Sequence, residues 1–136
     1  KRCELFPIKD FEESYDTTIR ARISGIEPQD YTRMGFAIRH LTQVLQKTDA
    51  KTRILITLSD GKPDDYDSYR GEYGIEDTRR ALIEARRGGI HPYCITIDEE
   101  ARDYLPHLYG PAAYSVISDV RSLPLKVSDI YRRLTT

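Results

Sequence analysis

The sequence has few cysteines and almost no excess of charge. Cys3 and Cys94 are its two cysteines, and both lie in candidate strands, where a reduced cysteine commonly packs as a small hydrophobic residue. Lys and Arg number 21 against 22 for Asp and Glu, a formal net charge of −1, so charge gives no argument for a nucleic-acid partner. We expect no structural disulfide and no nucleic-acid binding.

Long apolar runs are also missing. No stretch approaches the roughly 20 apolar residues that cross a bilayer, and Lys1 is not followed by the apolar core of a signal peptide. We therefore expect no membrane span and a cytoplasmic location. The 136 residues have room for one domain with a single core.

Motifs of hydrolytic and phosphate chemistry are absent as well. The sequence has no Gly-x-Ser-x-Gly elbow, no glycine-lysine phosphate loop and no His-Glu-x-x-His pair. His40, His91 and His107 are scattered along the chain. These absences argue against hydrolytic chemistry.

The most informative segment present is an apolar, β-branched run, residues 54–58, that stops at Ser59-Asp60-Gly61. A strand that is apolar on both faces belongs in a sheet covered by helices on both sides. In such sheets ligands collect at the carboxyl ends of the strands. Asp60 stands at that end, so its carboxylate is the first candidate for function.

Hydrophobic spacing predicts alternating strands and helices. Strands are predicted at residues 3–8, 53–58, 90–97 and 114–118, and helices at residues 12–26, 33–48, 75–87, 99–108 and 123–134. Connections too long for hairpins indicate parallel strands with right-handed crossovers. The sequence therefore predicts a doubly wound α/β fold with a mainly parallel sheet and helices on both faces.

One part of this sheet is unaccounted for. The strand at residues 53–58 is apolar enough to need neighbours on both sides, yet the later strands are expected to stack outward on one side only. The first strand contains Pro7, which is poorly suited to a central position. We expect a single domain over residues 1–136 that is incomplete at its N-terminus, with one or more central strands outside it.

Thr32 and Asp60 form the candidate metal pair, since one precedes a helix and the other follows a strand at the same expected edge. A carboxylate, a hydroxyl and waters suit Mg²⁺. Two other interpretations remain open. Asp60 could be phosphorylated, as in a phospho-receiver or small phosphotransfer domain, or the chain could be a structural scaffold in which Thr32 caps a helix and Asp60 shapes a turn.

A tyrosine-rich segment, residues 64–74, follows the strand end. Its tyrosines, Tyr66, Tyr69 and Tyr73, offer the rigid amphipathic area that protein interfaces use. Packing onto their own domain is the alternative. We expect a surface loop that borders the Asp60 edge and contacts a partner.

Four segments together resemble a known family. They are Leu58-Ser-Asp-Gly-Lys-Pro-Asp-Asp-Tyr-Asp67, Tyr73-Gly-Ile-Glu-Asp-Thr-Arg-Arg80, Pro92-Tyr-Cys-Ile-Thr-Ile-Asp98 and the helix opening Tyr31-Thr-Arg-Met-Gly-Phe-Ala-Ile-Arg-His40. Over nearly its whole length the chain resembles the von Willebrand factor type A domain of bacterial nitric-oxide-reductase activation proteins (NorD-like) and their Rubisco-activating relatives (CbbO-like).

The resemblance implies a Rossmann-like fold and a metal-ion-dependent adhesion site that binds a partner's acidic residue. Thr32 matches the threonine of that site and Asp60 its strand-end aspartate. The third element of the site, Asp-x-Ser-x-Ser, does not occur in the 136 residues. The resemblance also implies an adaptor subunit that works with a MoxR-type AAA+ ATPase to activate or remodel nitric oxide reductase or Rubisco.

Overall fold

A computed structural model describes residues 3–28, 33–60, 71–110 and 112–136. In chain order the elements are α1 (Thr17–Ser24), α2 (Met34–Gln46), β1 (Arg53–Ser59), α3 (Gly71–Arg87), β2 (Ile90–Thr96), α4 (Leu105–Tyr109), β3 (Tyr114–Val116) and α5 (Leu123–Thr135). Short 3₁₀ turns at Glu99–Asp103 and Val120–Ser122 precede α4 and α5.

The three strands form one parallel sheet in the order β1-β2-β3. β1 pairs with β2 along its whole length, from Arg53 opposite Ile90 to Ser59 opposite Thr96. β3 adds a shorter ladder on the far side of β2, from Cys94 opposite Tyr114. The parallel sheet is confirmed, and the later strands do stack on one side of β1.

Alternating side chains of the sheet build a separate core on each face. On one face Leu55 and Cys94 pack with buried residues of α2, α3 and α4. On the other face Tyr93 and Ile95 pack against Ile130 of α5. The sheet is therefore covered by helices on both sides, as the doubly wound α/β prediction requires.

Helices α2 and α3 pack side by side and run in the same direction. Arg39 of α2 pairs with Asp77 (2.9 Å) and Glu84 (3.0 Å) of α3, and the Gln46 amide at the end of α2 lies against Gly88 just after α3. Because a helix that follows or precedes a parallel strand runs back along it, both helices begin at the edge of the sheet where β1 ends.

The predicted first strand, residues 3–8, was wrong, because these residues have no strand pairing in the described structure. A strand needs a hydrogen-bonded neighbour, and Pro7 cannot donate to one. The first helix is also shorter than predicted. It begins at Thr17, capped by the Asp16 carboxylate, which accepts a hydrogen bond from the Ile19 N–H (3.2 Å).

Helical spacing predicts that Tyr15, Ile19, Ile23 and Ile26 share one apolar face of this helix, and side-chain burial differs from that prediction. Only Ile19 is buried among the four residues that define that face, while Tyr15, Ile23 and Ile26 are exposed. Spacing alone therefore identified the helix but not which of its residues become buried.

Two further boundaries differ from prediction. α3 begins at Gly71, so residues 71–74 are helical, although the sequence predicted a loop up to residue 74. The predicted helix after Asp98 is divided into a 3₁₀ turn and the five-residue α4. Elsewhere in the predicted loop, residues 64–70 lie outside the described residues.

Among the helices of the described ranges, none combines the length and apolar character that a membrane crossing requires.

Replacement of Leu82 by alanine should destabilise the domain strongly. Leu82 is fully buried in the core between α2, α3 and the sheet, so the variant loses apolar burial and leaves a cavity. We expect the free energy of unfolding, measured by urea denaturation, to fall by about 2–5 kcal/mol. Leu125→Ala is the matched control: this leucine of α5 is 67% exposed, and its loss should change stability by less than about 0.5 kcal/mol.

The Arg39–Asp77 ion pair should contribute modestly to the packing of α2 on α3. A double-mutant cycle with Arg39→Met and Asp77→Asn should give a coupling of about 0.2–1 kcal/mol, since both side chains are partly exposed. The coupling should weaken in 1 M salt, where the Debye length is about 3 Å. If the effects of the two substitutions on the unfolding free energy simply add, the coupling is zero and the ion pair has no such role.

Candidate functional site

Asp60 lies where the sequence predicted it, directly after the last residue of β1, and its side chain is exposed. Since Ser59 is opposite Thr96 in the parallel register, Asp60 is next to the point where β2 leaves the sheet. The carboxyl ends of β1 and β2 thus form one edge, with an aspartate following each strand.

The strand that carries Asp60 is anchored just below its end. The Thr57 hydroxyl is hydrogen-bonded to the phenol of Tyr109 at 2.7 Å, and Arg86 of α3 donates a hydrogen bond to the Tyr109 carbonyl. Burial raises the pKa of the Tyr109 phenol above its ordinary value, so it stays protonated. These contacts join β1, α3 and α4 beneath the edge and hold the end of β1 in place.

The second aspartate of this edge, Asp98, makes hydrogen bonds within the fold. One carboxylate oxygen accepts from the Glu100 N–H (3.0 Å) and the other from the Tyr104 hydroxyl (2.7 Å). The Asp98 N–H donates to the Thr96 hydroxyl at 3.0 Å. Asp98 therefore caps the 3₁₀ turn, and of the two aspartates Asp60 is the one that is exposed to solvent.

Tyr104 is a residue of this edge that sequence analysis missed. Its ring is buried, and its pKa is raised by burial, by the hydrogen bond to Asp98 and by the nearby charges of Asp98 and Asp60. The phenol consequently remains a hydrogen-bond donor at neutral pH. A tyrosine six residues after a strand-end aspartate is the only sequence signal, and it is too weak to identify the pair without the fold.

The other predicted site residues are only partly placed. Thr32 lies outside the described residues, and α2 begins two residues later at Met34. Tyr66 and Tyr69 also lie outside them. Tyr73 is in the first turns of α3 and is 59% exposed. Because α2 and α3 begin at the Asp60 edge, Tyr73 and the start of α2 belong to the same end of the sheet as Asp60.

The oxygen ligands available at this edge can be compared with those that a hard cation such as Mg²⁺ requires. An exposed carboxylate at a fixed strand end suits one ligand position of Mg²⁺. Within the described residues, however, no group of three or more His, Cys, Asp and Glu side chains is arranged to hold a metal. Asp60 thus suits one ligand position of a cation site.

The end of β2 bears on the phosphorylation hypothesis. In this chain β2 leads into Thr96-Ile97-Asp98, with no lysine at its end that could pair with a phosphoryl group on Asp60. No feature of the described edge therefore favours a phospho-receiver, and that hypothesis stays an unsupported prediction.

The chain has several curated relatives. It is 51% identical over 127 residues to the uncharacterized protein PA0525 of Pseudomonas aeruginosa, covering 93% of this chain and 21% of that protein. It is 47% identical over 119 residues to protein NorD of Stutzerimonas stutzeri, covering 88% of this chain and 19% of NorD. With protein NorD of Brucella abortus the identity is 42% over 127 residues, covering 93% and 20%.

The chain spans about a fifth of the length of these relatives. No solved structure matches it. A family model for the von Willebrand factor type A domain matches residues 2–131, which include all three strands and the exposed Asp60 at the carboxyl edge. The chain therefore belongs to the von Willebrand factor type A domain family.

Proposed function

We propose that this domain is a protein-interaction module that binds an acidic residue of a partner through a divalent cation at the carboxyl edge of its sheet. The observation that carries the proposal is the exposed carboxylate of Asp60 at the end of β1. The neighbouring carboxylate, Asp98, is occupied by Tyr104 and Glu100, so Asp60 is the acid available to a ligand.

In this proposal Asp60 and Thr32 supply two of the oxygen ligands of a Mg²⁺ ion. The remaining protein ligands come from an Asp-x-Ser-x-Ser segment outside these 136 residues. A hard cation of this type prefers oxygen ligands and keeps part of its water shell, which leaves a position that an Asp or Glu of the partner can fill. Asp60 contributes a negatively charged oxygen ligand at the end of β1. The domain performs no covalent chemistry in this proposal.

The proposed partners follow from the similarity to NorD proteins and from the family resemblance of the sequence. We propose that the domain is part of an adaptor subunit that works with a MoxR-type AAA+ ATPase. The target would be nitric oxide reductase or Rubisco, which the pair activates or remodels. ATP hydrolysis belongs to the ATPase, and the domain presents the docking edge.

We propose that three tyrosines add contact area to the same docking surface. Tyr73 is exposed near the start of α3, and Tyr66 and Tyr69 precede it in sequence. Tyrosine gives an interface large, rigid contact area with a polar end. We propose that these residues border the cation and supply specificity for the partner.

Asp60→Asn in the full-length protein should abolish activation of the target enzyme while the domain stays folded. The substitution removes the charge that holds the cation but keeps the size of an exposed side chain, so the melting temperature should be unchanged. Asp129→Asn is the matched control, because Asp129 is an exposed aspartate of α5. Activation is measured with the purified target and ATPase.

Three measurements separate the hypotheses for Asp60. If a cation is required, partner binding measured without nucleotide needs Mg²⁺ in the wild type and is lost with EDTA, and the Asp60→Asn variant binds weakly with or without Mg²⁺. A phosphoryl adduct detected by intact mass after incubation with acetyl phosphate would favour a receiver. Full activation by the Asp60→Asn variant would leave only the scaffold hypothesis.

Tyr73→Ser should weaken partner binding without unfolding the domain. Loss of an aromatic anchor at the centre of an interface commonly costs about 2 kcal/mol or more, which corresponds to more than about tenfold in the dissociation constant. Tyr131→Ser is the control, since Tyr131 is equally exposed but lies beside the start of β1, at the opposite end of the sheet. Binding is measured by calorimetry with the ATPase. Equal affinities for the two variants would exclude Tyr73 from the interface.

A further inference from the structure

The hydroxyl group of Tyr104 lies close to both aspartates of the carboxyl edge. It donates a hydrogen bond to one carboxylate oxygen of Asp98 at 2.7 Å, and the charge of Asp60 is near enough to help raise the pKa of the same phenol. The proposed cation site uses Asp60 alone of these two aspartates. The contact between Tyr104 and Asp98 therefore bears on how many carboxylates the cation meets.

The backbone keeps Asp98 at the edge where Asp60 leaves the sheet. Ser59 and Thr96 are opposite each other at the end of the β1–β2 ladder, and neighbouring strands are about 4.8 Å apart. Beyond Thr96 the chain turns at once, because the Asp98 N–H donates to the Thr96 hydroxyl (3.0 Å). Two carboxylates therefore follow adjacent strand ends, and a cation can bridge such a pair if both side chains turn towards it.

Tyr104 is held in place by the core. Its side chain is 5% exposed and belongs to the same buried cluster as Leu105 and Leu108, so its ring cannot follow a moving carboxylate without disturbing close packing. The other oxygen of Asp98 accepts from the Glu100 N–H (3.0 Å). Hydrogen bonds to a charged acceptor are the stronger kind. Tyr104 therefore holds Asp98 in its place, rather than the reverse.

We propose that Tyr104 is a positioning residue of the cation site: it holds the Asp98 carboxylate within the fold and leaves Asp60 as the one strand-end aspartate that binds the cation. This inference rests on the proposed function and names the residue that sets the charge of that site.

The number of carboxylates at the site affects both the partner and the choice of metal. Each carboxylate that binds a divalent cation neutralises one of its positive charges. A cation bound by Asp98 as well as Asp60 would therefore attract an acidic residue of the partner less strongly. It would also favour Ca²⁺, because Ca²⁺ takes more oxygen ligands than Mg²⁺ and accepts less regular geometry. By holding Asp98, Tyr104 keeps the site suited to Mg²⁺ and to an acidic partner.

Tyr104→Phe in the full-length protein tests the proposal. The variant keeps the ring in the core and removes only the hydroxyl, so Asp98 loses a hydrogen bond and can turn towards Asp60. We expect the dissociation constant for Ca²⁺, measured by calorimetry with calcium chloride, to fall by about tenfold or more, because charged ligands tune the affinity of such sites. Binding of the ATPase without nucleotide at saturating Mg²⁺ should weaken by about fivefold or more.

Two further variants separate positioning from a structural role. Tyr93→Phe is the matched control, because Tyr93 is also buried and its hydroxyl is hydrogen-bonded to Ser115 (2.6 Å) on the opposite face of the sheet. Its cation affinity should equal that of the wild type. Adding Asp98→Asn to Tyr104→Phe should return the Ca²⁺ affinity to the wild-type value, because the released side chain then carries no charge. A merely structural tyrosine would produce neither the tighter binding nor this reversal.

Two results would overturn the role of Tyr104 alone. Equal Ca²⁺ affinities of Tyr104→Phe and the wild type would show that the hydroxyl does not control Asp98. Weaker cation binding by Asp98→Asn alone would show that Asp98 is already a ligand. Asparagine keeps a capping oxygen, so this second measurement remains available if Tyr104→Phe destabilises the domain. In both cases the proposed function stands if Asp60→Asn loses the cation, whereas unchanged cation binding by Asp60→Asn would overturn both.

Discussion

The seven-residue parallel pairing of β1 with β2 is the contact on which the rest of the domain depends. Its register places Leu55 and Cys94 on the face covered by α2, α3 and α4, and Tyr93 and Ile95 on the face covered by α5. A shift of one residue would turn each of these side chains to the opposite face. The register therefore determines both cores, and it also sets the edge at which Asp60 and Asp98 leave the sheet.

At that edge the fold gives two aspartates different roles. Asp98 is fixed by the Glu100 N–H and by the Tyr104 hydroxyl, whose raised pKa keeps its proton in place. Asp60 is directed to solvent on a strand that Thr57 anchors to Tyr109. An exposed carboxylate on an anchored strand is well suited to bind a ligand, because little backbone entropy is lost when the ligand binds.

The sequence by itself determined the fold class, the strands that became β1 and β2, and the position of Asp60 at a strand end, because continuous apolar runs and their stops are local properties of the chain. It failed at residues 3–8, where strand formation depends on a partner, and at the start of α3, where helix extends through Gly71 to Gly74. Only the tertiary structure decided that Asp98 is held by Tyr104, because the 3₁₀ turn between them has to fold back onto the end of the strand. It also decided that Leu58 is exposed, because exposure depends on segments that are distant along the chain.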